Sequence, residues 1–310
     1  MASACYKKRE AGGIQASCPE QTENIEQNKE RSSMFSMQDF ELNGKVALVT
    51  GASYGIGFAI ACALAKAGAR IAFNARRPDA INKAKVAYGK EGIDARGYVC
   101  DVTDENAVMK MIGAIEQDLG PVDILVNNAG IIKRIPMLAM SVQDFQEVVD
   151  IDLVGPFIMA KAVLPSMISR HQGKIINICS LMSEVGRENV SAYAAAKGGL
   201  KMLTRNIAAE YGSYNIQCNA IAPGYIATPQ TAPLRTPQPD GSANPFERFV
   251  LSRTPQQRWG RPDDLMGPAV FLASASSDFV NGQILLVDGG LLASLGKPEE
   301  QKEQKEQKEN

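Results

Sequence analysis

The sequence predicts an α/β protein whose single domain is a doubly wound, Rossmann-type parallel sheet with helices on both faces. Short apolar runs typical of strands alternate with helical patterns across residues 40–296. Strands that alternate with helices indicate parallel pairing, and right-handed crossovers then place helices on both faces. The first strand also leads through a glycine-rich turn into an apolar helix, which is how doubly wound sheets begin.

The predicted elements are assigned by composition and periodicity. The strands are runs rich in Val, Ile, Leu and Ala, as expected of strands buried on both faces. They are expected at 45–50, 70–75, 95–100, 122–128, 174–180, 216–222 and 283–289. The helices carry good helix formers with periodic apolar residues, and are expected at 58–67, 79–91, 104–118, 141–169, 192–212 and 263–273. Acids follow Thr103 at the start of the third helix, so we expect this threonine to cap it.

The overall composition limits the class of protein. The chain has 310 residues, 45% of them hydrophobic, and a net charge of −1. These values allow a sizeable core but give no basic field for nucleic acid or an anionic membrane surface. We therefore expect no nucleic-acid partner and no membrane association, and we expect no apolar stretch to be long enough to span a bilayer.

Cysteine and histidine usage also excludes some kinds of site. The six cysteines form no CxxC pair, and His171 is the only histidine. A His-based metal site and a Ser-His triad are thereby excluded, and we expect no metal. Scattered free cysteines are typical of a reducing compartment, so the expected location is cytoplasmic.

The two ends of the chain differ from the rest in composition. Residues 1–36 hold few large apolar groups and many Lys, Glu, Gln and Ser, so a disordered extension without a signal peptide is expected there. Residues 297–310 are charged and of low complexity, and indicate a solvated tail. The folded domain is expected at 37–296.

A dinucleotide site is predicted at the first strand–turn–helix unit. Val46 to Val49 form an apolar run, Thr50 follows, and Gly51, Gly55 and Gly57 stand in the pattern TGxxxGxG. Glycines let the backbone approach a pyrophosphate, while the helix N-terminus supplies N–H donors and partial positive charge. A merely tight turn is the alternative.

The end of the second strand favours NADP over NAD. An acid at this distance past the glycine turn would hold the ribose hydroxyls of NAD, but the strand ends in Ala75, Arg76 and Arg77. No carboxylate is present to repel a 2′-phosphate, and either arginine can pair with one through charge-assisted hydrogen bonds. The alternative is that both arginines are solvated surface charges.

Tyr193, Lys197 and Ser180 form a candidate catalytic set. Residues four apart on a helix share a face, so the Lys197 ammonium can lie beside the Tyr193 phenol. The positive charge favours phenolate and is expected to lower the tyrosine pKa, which suits a general acid or base. Ser180 ends a strand-like run, where its hydroxyl can hold a substrate oxygen.

A long irregular segment at 225–258 is a candidate substrate lid. It holds five prolines between Pro229 and Pro245, together with polar and aromatic residues. Irregular segments of this length inside a domain are usually lids or binding loops. It follows Pro223-Gly224 at the carboxyl end of a strand, where open α/β sheets bind ligands.

These motifs together resemble the short-chain dehydrogenase/reductase family. The order is TGASYGIG at 50–57, DVTD at 101–104, NNAG at 127–130, the serine, the Tyr-x-x-x-Lys pair and PG at 223–224. The resemblance covers about residues 40–296. Within the family, the segments at 174–208, 221–235 and 279–290 are similar to bacterial gluconate 5-dehydrogenases.

The resemblance implies roles for further residues. It implies that Asp101 and Val102 lie near the adenine, that Asn128, Ala129 and Gly130 flank the ribose, and that Pro223, Gly224, Ile226 and Thr228 border the nicotinamide. Ser53, Tyr54 and Ile56 join the glycines of the turn, and Tyr193 and Lys197 also bind the nicotinamide ribose. A catalytic asparagine of the family corresponds to Asp152 here, so this chain departs from the pattern at that position.

The function implied is NADP(H)-dependent interconversion of D-gluconate and 5-dehydro-D-gluconate, with Tyr193 as acid and base. An anionic polyol needs a cation, and Arg134 is the first choice because guanidinium pairs with carboxylate in bidentate fashion; Glu184 and Arg187 are further candidates. The alternatives are a reductase of another substrate, of 2-dehydro-3-deoxygluconate or 3-oxoacyl type, and a non-catalytic dinucleotide-binding regulator. Relatives are commonly tetramers, so the resemblance also implies a homotetramer.

Overall fold

A seven-stranded parallel sheet forms the centre of the protein in a computed structural model, which describes residues 36–296. The strands lie in the order β3-β2-β1-β4-β5-β6-β7. In chain order they are β1 (Val46–Val49), β2 (Arg70–Ala75), β3 (Ala95–Val99), β4 (Ile124–Asn127), β5 (Gly173–Ile178), β6 (Ile216–Pro223) and β7 (Ile284–Val287). The predicted fold class is confirmed, and each strand lies where the sequence predicts it. The predicted extension and tail fall outside the described residues, apart from Ser36.

Eight α-helices occur in the part of the chain from 36 to 296. They are α1 (Gly55–Lys66), α2 (Pro78–Lys90), α3 (Glu105–Leu119), α4 (Val142–Val149), α5 (Gly155–Arg170), α6 (Ser191–Tyr211), α7 (Pro245–Arg253) and α8 (Met266–Ala273). A π-helical turn at Asp150–Val154 joins α4 to α5, so the predicted helix at 141–169 is one continuous helical path with a local irregularity.

Helix α7 lies inside the segment that the sequence marks as irregular. Asn244 caps it by accepting from the backbone N–H of Phe246 at 2.9 Å, and Pro245 occupies its first turn. Asparagine followed by proline is a helix-start signal. That signal was present in the sequence, but the density of prolines around it obscured a helix of only nine residues.

The two faces of the sheet bury separate apolar layers. Ala47 and Val49 of β1 face a cluster that contains residues of α1 and α8. Val46 and Leu48 face a second cluster that contains residues of α3, α5 and α6. Because successive side chains of a strand point to opposite faces, a continuously apolar β1 supplies both layers.

The strand order reverses between β1 and β4, where Val49 pairs with Val126. The chain moves outward from β1 to β3 and then returns to the other side of β1 for β4. Crossover helices therefore diverge at this point and leave a crevice beyond the carboxyl ends of the strands. This crevice is where the fold can accept a ligand.

One helical stretch, Val142–Arg170, is long and apolar enough to cross a membrane by length and composition alone. Within its most apolar window, 61% is buried inside the protein, and the core helix of a globular protein has the same character. The expectation that no apolar stretch is long enough to span a bilayer is therefore wrong by the criterion of length and composition. The apolar residues that α4 and α5 need for packing on the sheet also satisfy the length criterion.

The cap of α3 is Asp104 rather than the expected Thr103. The Asp104 side chain accepts from the N–H of Ala107 at 3.0 Å. Thr103 instead donates from both its N–H and its hydroxyl to the Asp101 carboxylate, at 3.0 and 2.8 Å. Thr103 therefore orients a residue of the predicted cofactor site, which sequence spacing alone did not distinguish from capping.

We expect Asp104→Ala to lower the free energy of unfolding by about 1 kcal/mol, because one N–H at the start of α3 loses its acceptor. Urea denaturation measures the change. Asp104→Asn keeps an acceptor and should recover most of the loss. Equal losses in the two variants would contradict the capping role.

Candidate active site

A cavity of about 720 Å³ opens at the carboxyl ends of the strands, beside the reversal in strand order. Its wall contains all of the residues that the sequence assigned to the cofactor except Lys197, which lies behind it. Ser180, Asp152, Arg134 and Arg187 line the same cavity. The fold thus brings together residues that are spread over nearly the whole described chain.

The glycine turn after β1 has the backbone that its sequence predicts. Gly51 and Gly55 have φ angles of +63° and +65°, in the left-handed region that favours glycine. At Gly57 a Cβ atom would lie only 2.3 Å from Nδ2 of Asn128. The turn and the loop after β4 therefore pack together only because this position has no side chain.

Two polar side chains fix this turn to its neighbours. The carbonyl oxygen of the Asn74 side chain accepts from the N–H of Gly51 at 3.0 Å, and its Nδ2 donates to the carbonyl of Cys100 at 3.0 Å. The Thr50 hydroxyl accepts from the N–H groups of Asn128 and Ala129 at 2.9 and 3.0 Å. Asn74 was missed in the sequence, although a polar residue inside an apolar strand is a signal of such a role.

The cavity end beside β2 and β3 carries exposed arginines. Arg77 pairs loosely with Asp79, with a nitrogen–oxygen distance of 3.4 Å. Arg76 forms no ion pair among the described residues. Both face the cavity next to Ala75, so the local charge is positive and no acid occupies the end of β2. This end can hold an anionic group.

The candidate catalytic side chains meet where β5 ends and α6 begins. Ser180 caps a short 3₁₀ turn, Leu181–Ser183, and its hydroxyl accepts from the N–H of Met182 at 3.2 Å. Lys197 is buried and donates to the carbonyl of Ile178 at 2.9 Å. Its ammonium lies 5.6 Å from the centre of the Tyr193 ring, so the predicted proximity on one helical face is present.

The direction of the Tyr193 shift differs from the sequence-based expectation. Burial raises the pKa of the phenol above its ordinary value, and the negative charge of Asp152 acts in the same direction. Lys197 and a hydrogen bond with Ser180 lower it, as expected, but do not outweigh burial. The free energy lost when a phenolate is removed from water is larger than the free energy gained from its attraction to the Lys197 ammonium.

Asp152 is fully buried in the π-helical turn between α4 and α5. One carboxylate oxygen accepts from the N–H of Ile131 at 2.7 Å, and the other lies 3.1 Å from the Lys197 ammonium. Burial alone would lower the pKa of Lys197, but the charges of Asp152 and Tyr193 reverse this and raise it. The lysine is therefore held in its charged form.

Two guanidinium groups lie at the end of the cavity that faces Ser180 and Tyr193. Burial, followed by the neighbouring charge of Arg187, lowers the pKa of Arg134 from its ordinary value. The guanidinium of Arg187 lies 5.2 Å from the centre of the Phe246 ring. Like charges near one another indicate a place for an anion.

Lys133 and Glu184 are close to these arginines in sequence, but both form ion pairs with other residues. Lys133 forms ion pairs with Asp144 and Glu147. Glu184 accepts from Lys201 at 2.6 Å and is not part of the cavity wall. The structure therefore places Arg134 and Arg187 at the cavity but not Glu184.

The segment at 225–258 contributes directly to the cavity wall. Tyr225, Gln230, Thr231 and Leu234 line it, and none was singled out from the sequence. Tyr225 also contacts Phe246 and Trp259, with ring centres 5.5 and 5.7 Å apart. Only the general signal of a proline-rich segment beside a strand end could have pointed to these residues.

Comparison with models of known protein families shows to which enzyme family the chain belongs. A family model described as "Enoyl-(Acyl carrier protein) reductase" matches residues 51–292. The chain belongs to the short-chain dehydrogenase/reductase family. It is an oxidoreductase that acts on a CH–OH group, and the resemblance inferred from the motifs is confirmed.

Similar proteins act on sugar acids. The chain is 55% identical over 269 residues to 2-dehydro-3-deoxy-D-gluconate 5-dehydrogenase of Formosa agariphila, which covers 86% of the chain and 100% of the relative. A crystal structure of 2-keto-3-deoxy-D-gluconate dehydrogenase from Streptococcus agalactiae matches with 64% identity and a TM-score of 0.74, over 84% of this chain and 98% of that one. A gluconate 5-dehydrogenase from Burkholderia cenocepacia, solved with NADP and tartrate, matches with 43% identity and a TM-score of 0.77, over 83% and 99%.

Proposed function

We propose that this protein oxidises a six-carbon sugar acid at C5, and reduces the corresponding ketone, with NADP(H) as cofactor. The observation that carries the proposal is the position of Ser180 and Tyr193 in the same cavity as a glycine cradle and two arginines, with Lys197 buried behind Tyr193. A proton-transfer group, a dinucleotide turn and an anion site are the three parts that such a reaction needs.

The residues of the cavity fit a dinucleotide. Gly57 leaves no room for a Cβ beside Asn128, and the turn that starts at Gly51 leads directly into the N-terminus of α1 at Gly55. A helix N-terminus favours a pyrophosphate. Arg76 and Arg77, without an acid at Ala75, suit the 2′-phosphate of NADP. Three structural relatives were solved with bound NADP, which supports the same assignment.

The acid–base step is assigned to Tyr193. The bound cofactor supplies or accepts a hydride at the substrate carbon. In oxidation the Tyr193 phenolate takes the proton of the substrate hydroxyl, and in reduction the phenol returns it to the carbonyl oxygen. The Ser180 hydroxyl holds that oxygen, and Lys197 stabilises the phenolate by its charge.

Two sugar acids are candidates for the substrate. The sequence favoured D-gluconate, whereas the two relatives of 55% and 64% identity are named for 2-dehydro-3-deoxy-D-gluconate. Leu181 and Met182, which follow Ser180 in the chain, line the cavity, and so does Leu234 of the lid segment. Apolar side chains leave a hydroxyl without a partner but accept a methylene group. We therefore place the 3-deoxy acid first and D-gluconate second, with Arg134 and Arg187 at the carboxylate.

The homotetramer and the cytoplasmic location expected from the sequence stay predictions. In support of self-association, Phe157 of α5 and Met202 of α6 are half exposed, as are Leu285 and Leu286 of β7. Exposed apolar groups on neighbouring elements are typical of protein interfaces. The 3-oxoacyl alternative has less support, because such a substrate would not use the two arginines of the cavity in the same way.

The test is a comparison of both acids with NADP and with NAD, followed by reduced-nicotinamide absorbance and product identification by NMR. We expect the highest kcat/KM for 2-dehydro-3-deoxy-D-gluconate with NADP, and a product that carries the new ketone at C5. Tyr193→Phe should lower kcat by about 10²- to 10⁴-fold in a folded protein, since the proton-transfer group is lost. No turnover of either acid would contradict the proposal.

Arg134→Ala should raise the KM for the sugar acid about ten- to a hundredfold, because a charge-assisted contact to the carboxylate is lost. The dissociation constant for NADP should not change. Lys133→Ala is the matched control, since that neighbouring cation is bound to Asp144 and Glu147. Steady-state kinetics and calorimetric NADP titration measure the two quantities. An unchanged KM in Arg134→Ala would remove Arg134 from the substrate site.

The double variant Arg76→Ala/Arg77→Ala should weaken NADP binding about tenfold or more and leave NAD binding nearly unchanged, because only NADP carries the 2′-phosphate. Calorimetric titration with each dinucleotide measures the difference. Arg96→Ala removes an exposed arginine of β3 that is outside the cavity wall, and shows the effect of losing one positive charge elsewhere on the protein. Parallel losses for NADP and NAD would contradict the assignment.

A further inference from the structure

A carboxylate is buried directly behind the candidate acid–base pair. Asp152 has 0% of its surface exposed, and Gly130 packs against it so closely that a Cβ there would lie 2.8 Å from Oδ2. Oδ1 is held by the N–H of Ile131, whereas Oδ2 has no aligned hydrogen-bond donor and lies 3.1 Å from the ammonium of Lys197. The carboxylate therefore interacts with Lys197 mainly through charge.

The groups that face this carboxylate come from three elements. Helix α6 supplies Tyr193 and Lys197, and the loop after β4 supplies the backbone N–H of Ile131. The segment after β5 supplies the buried thiol of Cys179, which interacts with Tyr193 and Lys197. Burial raises the pKa of Cys179 above its ordinary value, so this thiol adds no charge near neutral pH.

More distant charges lie outside this group. Glu184 and Lys201 pair with each other, and act only weakly on Cys179. Arg134 interacts with Tyr193 from the cavity side. The charge balance behind the phenol is therefore set by Asp152, Lys197 and Tyr193 themselves.

We propose that Asp152 is a positioning residue for the acid–base step: its carboxylate balances the ammonium of Lys197, so that the buried cluster has no net charge while Tyr193 keeps its proton. A protonated phenol is the form that reduces a ketone. Asp152 would thus favour the reductive direction at a given pH. The inference rests on the proposed role of Tyr193 as the acid–base group, but not on the identity of the sugar acid.

The sign follows from the charge of the cluster in each state. With Asp152 ionised, loss of the Tyr193 proton changes the cluster from neutral to negative. With an uncharged residue at this position, the same step changes it from positive to neutral. Net charge is costly in a buried site, so the proton leaves at lower pH when the carboxylate is absent. Burial raises the pKa of the Asp152 carboxyl above its ordinary value, whereas Lys197 and the Ile131 N–H act to lower it and so favour the ionised form that the proposal requires.

The test is Asp152→Asn, which removes the charge with almost no change in shape. The control is Asp150→Asn, in the same π-helical turn, where the carboxylate accepts only from the side chain of Gln146 at 2.6 Å. The rising limb of the pH profile of kcat/KM for oxidation should move to lower pH in Asp152→Asn, and the falling limb for reduction should move with it. On the rising limb, the fraction of the plateau rate should increase about tenfold at fixed pH.

A measurement that does not need turnover separates this inference from the proposed function. The ultraviolet absorbance of tyrosinate is followed against pH in each protein and in its Tyr193→Phe counterpart, and the difference gives the titration of Tyr193 alone. We expect ionisation at lower pH in Asp152→Asn than in the parent or in Asp150→Asn. If the shift appears while neither sugar acid reacts, the substrate assignment fails and the role of Asp152 stands.

The same midpoint for Tyr193 in the parent and in Asp152→Asn would overturn the inference, as would an equal shift in Asp150→Asn. A lower maximal rate with unmoved pH limbs would also overturn it, since that result indicates a purely structural role. Thermal unfolding checks that the variants are folded. If Asp152→Asn does not fold, Asp152→Ser removes the same charge with a smaller side chain and must give the same direction of shift.

Discussion

The active-site geometry depends on a chain of buried hydrogen bonds that joins two strands to the catalytic helix. Nδ2 of Asn127 in β4 donates to Oδ1 of Asn177 in β5 at 2.9 Å, and Nδ2 of Asn177 donates to the hydroxyl of Thr204 in α6 at 2.9 Å. All three side chains are buried. A buried amide that loses its partner is costly, so this chain fixes the position and rotation of α6 on the sheet. Tyr193 and Lys197 lie on α6, so their positions depend on these hydrogen bonds.

Burial and charge oppose each other at this site. Burial of Tyr193 and Lys197 disfavours both the phenolate and the ammonium, and their mutual attraction offsets part of this effect. Asp152 offsets it further for Lys197 but adds to it for Tyr193. Lys197 stays charged because it has two nearby negative or polar partners, Asp152 and the carbonyl of Ile178. The tyrosine has only one cation behind it. The protein alone thus favours a protonated phenol, and positive charge beyond that of Lys197 and Arg134 would be needed to favour phenolate.

The sequence predicted the sheet and most helices, because these depend on local patterns, and it predicted more than half of the cavity wall from the glycine turn, the catalytic motif and the family resemblance. Apolar runs define strands, and glycines such as Gly57 report close packing wherever they lie in the chain. The direction of the Tyr193 shift could not be predicted, since it depends on how much water the folded protein excludes. Glu184 and Arg187 are three residues apart, yet only Arg187 lines the cavity. Their side-chain directions are set by Lys201 and Phe246, which are distant in sequence.

With the carboxylate site proposed above, Arg187 would connect substrate recognition to the lid segment. Its guanidinium packs on Phe246 at the start of α7, and Phe246 in turn contacts Tyr225 and Trp259. Arg134 and Arg187 repel each other, and an anion between them removes that repulsion. Binding of a carboxylate would then stabilise the position of Arg187, and with it the packing of α7 against the aromatic residues. An uncharged substrate would lack this contribution, so in the proposed function the same pair of arginines would both select an acid and link its binding to the position of α7.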